Sequence, residues 1–375
     1  MKKQAIALLC AGCLALSACA GPAVSPETSN PAPTEAEAPQ AMPIEYSDSG
    51  YANAPVQADA DMYAMDTVMH FRVYTENKAD AEKAITAAMD EITRLDTLLS
   101  TNHKDAELAI LNSKGEVALS DDTAYLYDRS REISDLTGGH FNVAIYPLVK
   151  AWGFTTQKFQ VPDQATIDKL LPLTDMSLVH FDKDKKTIRF DKKGMGIDFG
   201  GIAKGYASQR IMQIFADNRV VGGLVNLGGN TQLFGTKPDG ADFNVAIQDP
   251  KNEEDFVGIV QRSNCAIITS GIYQRYFEEK GRRYHHIIDP ATGKPADNSL
   301  ASASVITADG TTADALATAL MIMGKDKAIA FWQAHSDLFD MVLVDKDNRV
   351  FISPGLEADF SAPDRPAPEV IPAHA

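Results

Sequence analysis

The spacing of apolar and polar positions changes character several times along the chain. An apolar run from Ala5 to Leu16 gives way, from Ala20 to about residue 59, to Ala, Pro, Glu and Ser with almost no large apolar side chain. Residues 64–75 are apolar and β-branched with partial alternation (Val68, Phe71, Val73) and predict an opening strand. Lys78 to Leu99 places Ala81, Ile85, Ala88, Ile92, Leu95 and Leu99 close to a 3.6 period, which predicts an amphipathic helix on that strand. A second helix is expected over 122–137, ending at Gly138-Gly139, and a hairpin over 178–191. A glycine pair at Gly200 opens a helix running to Asp217. Short strands are then expected at 224–227, 231–234, 243–247, 256–260, 266–268, 284–288 and 303–307. A helix over 312–323 stops at Gly324, strands follow at 341–344 and 350–352, and the Pro-rich end reads as loose. Strands and helices do not alternate regularly. The expected class is therefore α+β, a single large unit of mixed antiparallel sheets with packed helices, and not a doubly wound parallel sheet.

The two ends refine this picture. Lys2 and Lys3, the apolar run, and Ser17 and Ala18 before Cys19 read as a secretory signal too short to span a bilayer. Leu16-Ser17-Ala18-Cys19 resembles the lipobox of bacterial lipoproteins, whose cysteine carries a lipid; an ordinary cleaved signal with an incidental cysteine is the alternative. The expected organisation is a lipoprotein signal at 1–18, a disordered tether with lipidated Cys19 at 19–59, a folded domain at 60–355 and a Pro-rich tail at 356–375. That places the protein on the periplasmic side of a bacterial membrane, the inner membrane being preferred. Cys10 and Cys13 leave with the signal, so Cys265 remains as the free thiol and no internal disulfide framework is expected. A hydrophobic content of 45% supports an ordinary core, and a formal net charge of -16 argues against nucleic acid as a partner. A phosphate-bearing ligand must then be held by local cations or a metal.

Several segments carry chemistry. In the late helix, Asp314 and Thr318 are four apart and share one face. A carboxylate and a hydroxyl suit a hard cation such as Mg²⁺, although the helix dipole and a Thr back-bond explain the pair equally well. Asp198-Phe199-Gly200-Gly201-Ile202-Ala203-Lys204-Gly205-Tyr206 reads as a strand end, glycine turn and helix start, with Lys204 as a point charge beside helix N–H groups; it lacks the spacing of a P-loop or a Rossmann turn. A Gly-Gly turn serving only helix packing remains open. His285 and His286 precede an Asp289-Pro290-Ala291-Thr292-Gly293 turn, and on a strand only one of them can face a site. Thr269-Ser270-Gly271 offers hydroxyl and backbone donors, or is a plain turn.

Together these segments resemble the ApbE family, the FAD:protein FMN transferases, in order and over most of 65–324. The matching pieces include Met65-Asp66-Thr67, Gly138-Gly139-His140-Phe141-Asn142, the Asp198 to Tyr206 block, Asn226-Leu227-Gly228-Gly229-Asn230, His286 to Pro290 with Thr292-Gly293, and Ala313 to Ala319. The resemblance implies a T-fold-like domain that transfers the FMN half of FAD to a Ser or Thr hydroxyl of a partner protein, such as a membrane redox subunit, and releases AMP. It implies Mg²⁺ held by Asp314, Thr318 and a carbonyl near Gly201. It also implies an FAD pocket lined by Met65, Asn102, His140, Phe141, Asn142, Asp198, Lys204 and Ile287. His286 is the expected base, with Asp289 to orient or replace it and Lys204 neutralising charge. Asn102 stands where the family often has an aromatic residue, and Asn142 where it often has Asp. Hydrolysis of FAD to FMN and AMP, or flavin binding without turnover, are the rival functions.

Overall fold

Residues 39–363 and 365–373 are described by the computed structural model; the expected signal and Cys19 lie outside the described residues. Its main sheet has eleven strands among these residues. Gln40–Ala41 and Glu45–Asp48 both pair with Val56–Ala64, and the sheet continues through Thr67–Thr75, Gly222–Leu227, Asn230–Gly235 and Ala266–Gly271. It ends with Leu300–Thr307, Asp340–Asp345, Val350–Ile352 and Glu369–Val370, the last pair being the one parallel pairing of this sheet. Alternation decides the layers. Ile268, Val305, Met341 and Leu343 point to a core beneath the helices Lys78–Leu99, Ala203–Asp217 and Gly310–Met323. Their neighbours Ile267, Ile306, Val342 and Val344 point to the opposite face, covered by Phe243–Asp249, Asn252–Arg262 and Phe360–Ser361. The α+β expectation holds, and the helix predicted over 78–99 has those bounds.

The fold starts earlier than the expected boundary at residue 60. Val56–Ala64 alternates small apolar and acidic residues, with Ala58, Ala60, Met62 and Ala64 buried inward and Asp59 and Asp61 outward. A reading that looks for large apolar side chains mistakes it for tether, whereas alanine is what lets the strand lie close under the first helix. Asp59 and Asp61 pair with Arg72 and His70 on the next strand, so the expected single strand over 64–75 is the second arm of a hairpin. The described part of the expected loose tail is packed too: Leu356, Phe360 and Ile371 are buried, and Arg365 pairs with Asp249 and Asp255. The strand expected over 284–288 is broken. Arg282–His285 pairs with Tyr276–Glu279, and Ile288–Asp289 pairs with Lys294–Pro295, leaving His286 and Ile287 between them. Four α-helices among the described residues were not anticipated, Glu107–Lys114, Tyr146–Ala151, Gln164–Leu170 and Lys325–Ala334; each is short and buries at most three residues, too few to show a period.

Candidate active site

One cleft lies where the helix side of the sheet meets the glycine bend at Gly200-Gly201. It collects Met65, Asn102, His140, Phe141, Asn142, Asp198, Gly201, Lys204, His286, Ile287, Asp314 and Thr318 on its walls. Of the described residues expected at the site, only Asp289 is left out.

The floor is made by two helices in close contact. Gly205 sits against the start of the Gly310–Met323 helix so tightly that a Cβ there would lie 2.1 Å from the Gly310 carbonyl oxygen and 2.6 Å from Asp314 Cβ. This approach lets the Gly205 N–H donate to Asp314 Oδ2 at 2.8 Å, which satisfies one free donor of the lysine-bearing helix. Asp314 is 3% exposed, and its Oδ1 has no partner among the described residues. One turn on, Thr318 Oγ1 lies 3.3 Å from Ser270 Oγ. The Gly201 backbone abuts it, since a Cβ on Gly201 would come within 3.4 Å of that hydroxyl. A carboxylate and a hydroxyl are both oxygen donors, which fits a hard cation completing its shell with water and phosphate. No group of three or more His, Cys, Asp or Glu side chains gathers as a metal site among the described residues. Lys204, half-buried on the same wall, makes no ion pair among them.

The second wall carries the histidine. His285 turns inward, with Nε2 at 3.0 Å from the Ala296 carbonyl oxygen. His286 turns to the cleft, its backbone N–H donating to the Arg275 carbonyl at 3.0 Å. Its Nδ1 is 3.2 Å from the same oxygen, an acceptor only, so Nδ1 carries the proton and Nε2 is left as the basic lone pair. Removal from water, with the positive charges of Arg275 and Lys204, pushes the His286 pKa down to about 3. Phe154 backs the ring edge-on at 6.3 Å. Asp289, expected to orient His286, is instead consumed by its own turn, accepting from the Ala291 N–H at 2.8 Å and the Thr292 hydroxyl at 3.3 Å. Its place is taken by the Arg275 carbonyl.

The residues expected to line an FAD pocket are held by local structure. Met65 and Asp66, at φ 49 and 59, form the two-residue turn between Val56–Ala64 and Thr67–Thr75, where Asn-Gly is the relaxed choice. Such left-handed backbone at non-glycine residues costs energy and clusters at functional sites. Asn102 donates to the Thr155 carbonyl at 2.6 Å and so closes two loops over the cleft. His140 is pinned to the Thr137 carbonyl at 2.7 Å. Both ends of the Asn142 amide are used, accepting from Ala144 N–H and donating to the Thr174 carbonyl. Asn112 grips both backbone groups of Ile197, which aims the next residue, Asp198, into the cleft. Burial holds the Asp198 carboxyl above its usual range, opposed by the Gly200 N–H and by Arg275. Arg275 itself lines the cleft, donating to the Phe154 carbonyl at 3.0 Å with Asp66 3.5 Å away. It was not singled out from the sequence, because an arginine after a turn has no period or spacing to mark it.

Comparison with known proteins identifies the family. The model of the ApbE family matches residues 65–343. The FAD:protein FMN transferase of Treponema pallidum is 33% identical over 311 residues, covering 77% of this chain and 85% of that protein. The solved ApbE protein of Thermotoga maritima superposes with a TM-score of 0.76 at 28% identity, over 81% of this chain and 99% of the other. The flavin transferase ApbE of Vibrio cholerae gives 0.72 at 26% identity, over 84% of this chain and 100% of the other. With the family model covering most of the described fold and the site residues in one cleft, the chain belongs to the ApbE family.

Proposed function

We propose that this chain is a FAD:protein FMN transferase that uses Mg²⁺ and delivers FMN to a Ser or Thr hydroxyl of a partner protein. The observation carrying this reading is the meeting of an oxygen-donor pair, a lysine and a cleft-facing neutral imidazole in one site. Asp314 and Thr318, with the Gly201 carbonyl, would hold Mg²⁺, which when bound supplies charge neutralisation at a diphosphate. Lys204 adds a second positive charge to the same region. The acceptor oxygen forms a bond to the FMN phosphorus while the anhydride bond breaks and AMP leaves; His286 Nε2 takes the hydroxyl proton.

The test is incubation of the full chain with FAD, Mg²⁺ and a candidate acceptor domain, read by intact mass. Acceptor heavier by one FMN, with AMP released and neither seen for Asp314→Ala, is the expected result. AMP released at full rate with no acceptor present would instead favour a FAD pyrophosphatase, a reading supported by Asn102 standing exposed where an aromatic platform is usual. FAD binding without any AMP would leave a flavin carrier.

The membrane setting is also a proposal. Cys19 after its small-residue motif supports a lipid anchor on the periplasmic side of the inner membrane, with a membrane redox subunit as acceptor. Among the described residues no helix is long and apolar enough to cross a membrane. Radiolabelled fatty acid should enter the wild-type chain and not Cys19→Ala; equal labelling of both would refute the anchor.

A further inference from the structure

Asn230 opens the strand Asn230–Gly235 directly after the Gly228-Gly229 turn and lines the cleft while being only 2% exposed. Its backbone pairs with Ile268, so its side chain shares the helix-facing side of the sheet with Ser270, whose hydroxyl touches Thr318. Neither end of the Asn230 amide has a hydrogen-bond partner among the described residues. As placed, Nδ2 is the end shut in completely, so a donor role toward the cleft requires the amide to turn over. Its neighbour two residues on, Gln232, shows the contrast: that amide is engaged at both ends by Ser208 and Gln209. A buried amide without partners costs free energy, and with none to choose between, the protein leaves open which end faces the cleft. A ligand decides both. A metal-side diphosphate offers only acceptors at this point, which would turn Nδ2 outward.

We infer that Asn230 is a substrate-binding residue that donates a hydrogen bond from Nδ2 to a non-bridging phosphate oxygen of the dinucleotide. The inference rests on the flavin dinucleotide reading above and adds a residue to its diphosphate site. Its test compares dissociation constants of FAD and riboflavin, which lacks phosphate, for the full chain and for Asn230→Ala and Asn230→Asp, at fixed Mg²⁺. Losing one hydrogen bond to a charged group should weaken FAD by roughly 10- to 100-fold in the alanine variant and leave riboflavin unchanged. The aspartate variant, which cannot donate and adds negative charge, should bind FAD more weakly still. The ligand-free melting temperature of Asn230→Ala should fall by no more than about 2 °C, because no protein hydrogen bond is lost.

Equal weakening for FAD and riboflavin, or a large fall in melting temperature, would make Asn230 a structural residue and overturn the inference. FAD binding retained or strengthened in Asn230→Asp would overturn it too, in favour of an acceptor role toward metal-bound water. The two readings fail separately: a chain that binds FAD but never forms FMN-acceptor adduct refutes the transferase and leaves this comparison valid. A chain that binds no FAD refutes both.

Discussion

A histidine serves as a base only when its proton-free form is the stable one, and the surroundings of His286 enforce this. Removal from water disfavours the imidazolium first, and Arg275 and Lys204 then add repulsion. Since both effects lower the pKa, protonation that would normally disable the base at pH 6.5 is delayed to lower pH. The acid limb of kcat/KM, which reports the free enzyme, is therefore expected well below 6.5. Arg275→Leu removes one opposing charge and should move that limb upward. A limb at the ordinary histidine value, insensitive to Arg275→Leu, would assign the proton transfer elsewhere. At this scale the sequence predicted that one histidine of the pair faces the site but not which one. The choice was made by the Arg275 carbonyl and the Ala296 carbonyl, each supplied by a segment lying alongside the histidines in the folded chain.

The contact between the Ala203–Asp217 and Gly310–Met323 helices does for the elements what the carbonyls do for the histidines. Spacing alone shows that Asp314 and Thr318 share a helix face, because that is a property of 3.6 residues per turn. It does not show that the face meets Lys204. That meeting depends on Gly205 having no side chain, since the neighbouring backbone and Asp314 fill the space a Cβ would need. Gly205→Ala should force the helices apart, costing about 1–3 kcal/mol in stability. With Mg²⁺ held as proposed, it should also weaken activation by the metal, because Asp314 loses its Gly205 N–H anchor. Unchanged denaturation midpoint and Mg²⁺ dependence would show that the helices accommodate the methyl group freely.

Across the whole molecule, the ends of the fold are tied into the sheet that carries the site. Leu356, Phe360 and Ile371 are buried beyond the expected end of the domain, with Phe360 packed over Gly258. Burying a large apolar side chain contributes about 1.5–3 kcal/mol, so losing three removes a sum comparable with the roughly 5–15 kcal/mol stability of a typical protein. A chain truncated after Gly355 should therefore be largely unfolded or aggregated by circular dichroism and size-exclusion chromatography. A truncated chain that melts like the full one would show these contacts to be dispensable.

Periodicity determined the major helices and most strands, because each of these buries a regular set of large apolar side chains that the chain itself displays. Motif order named many residues of the cleft, because the segments that carry them match the family in residue type and order whatever the fold around them. The sequence missed the alanine-lined strand Val56–Ala64 and the two short strands before it, the packed carboxyl-terminal strands, Arg275, and the lack of partners at the Asn230 amide. Their roles come from neighbours remote in the chain: a helix close enough to want alanine, a sheet edge to pair with, a loop to grip, or the lack of any hydrogen-bond partner. Such relations exist only once the chain has folded, and there the tertiary structure alone decides.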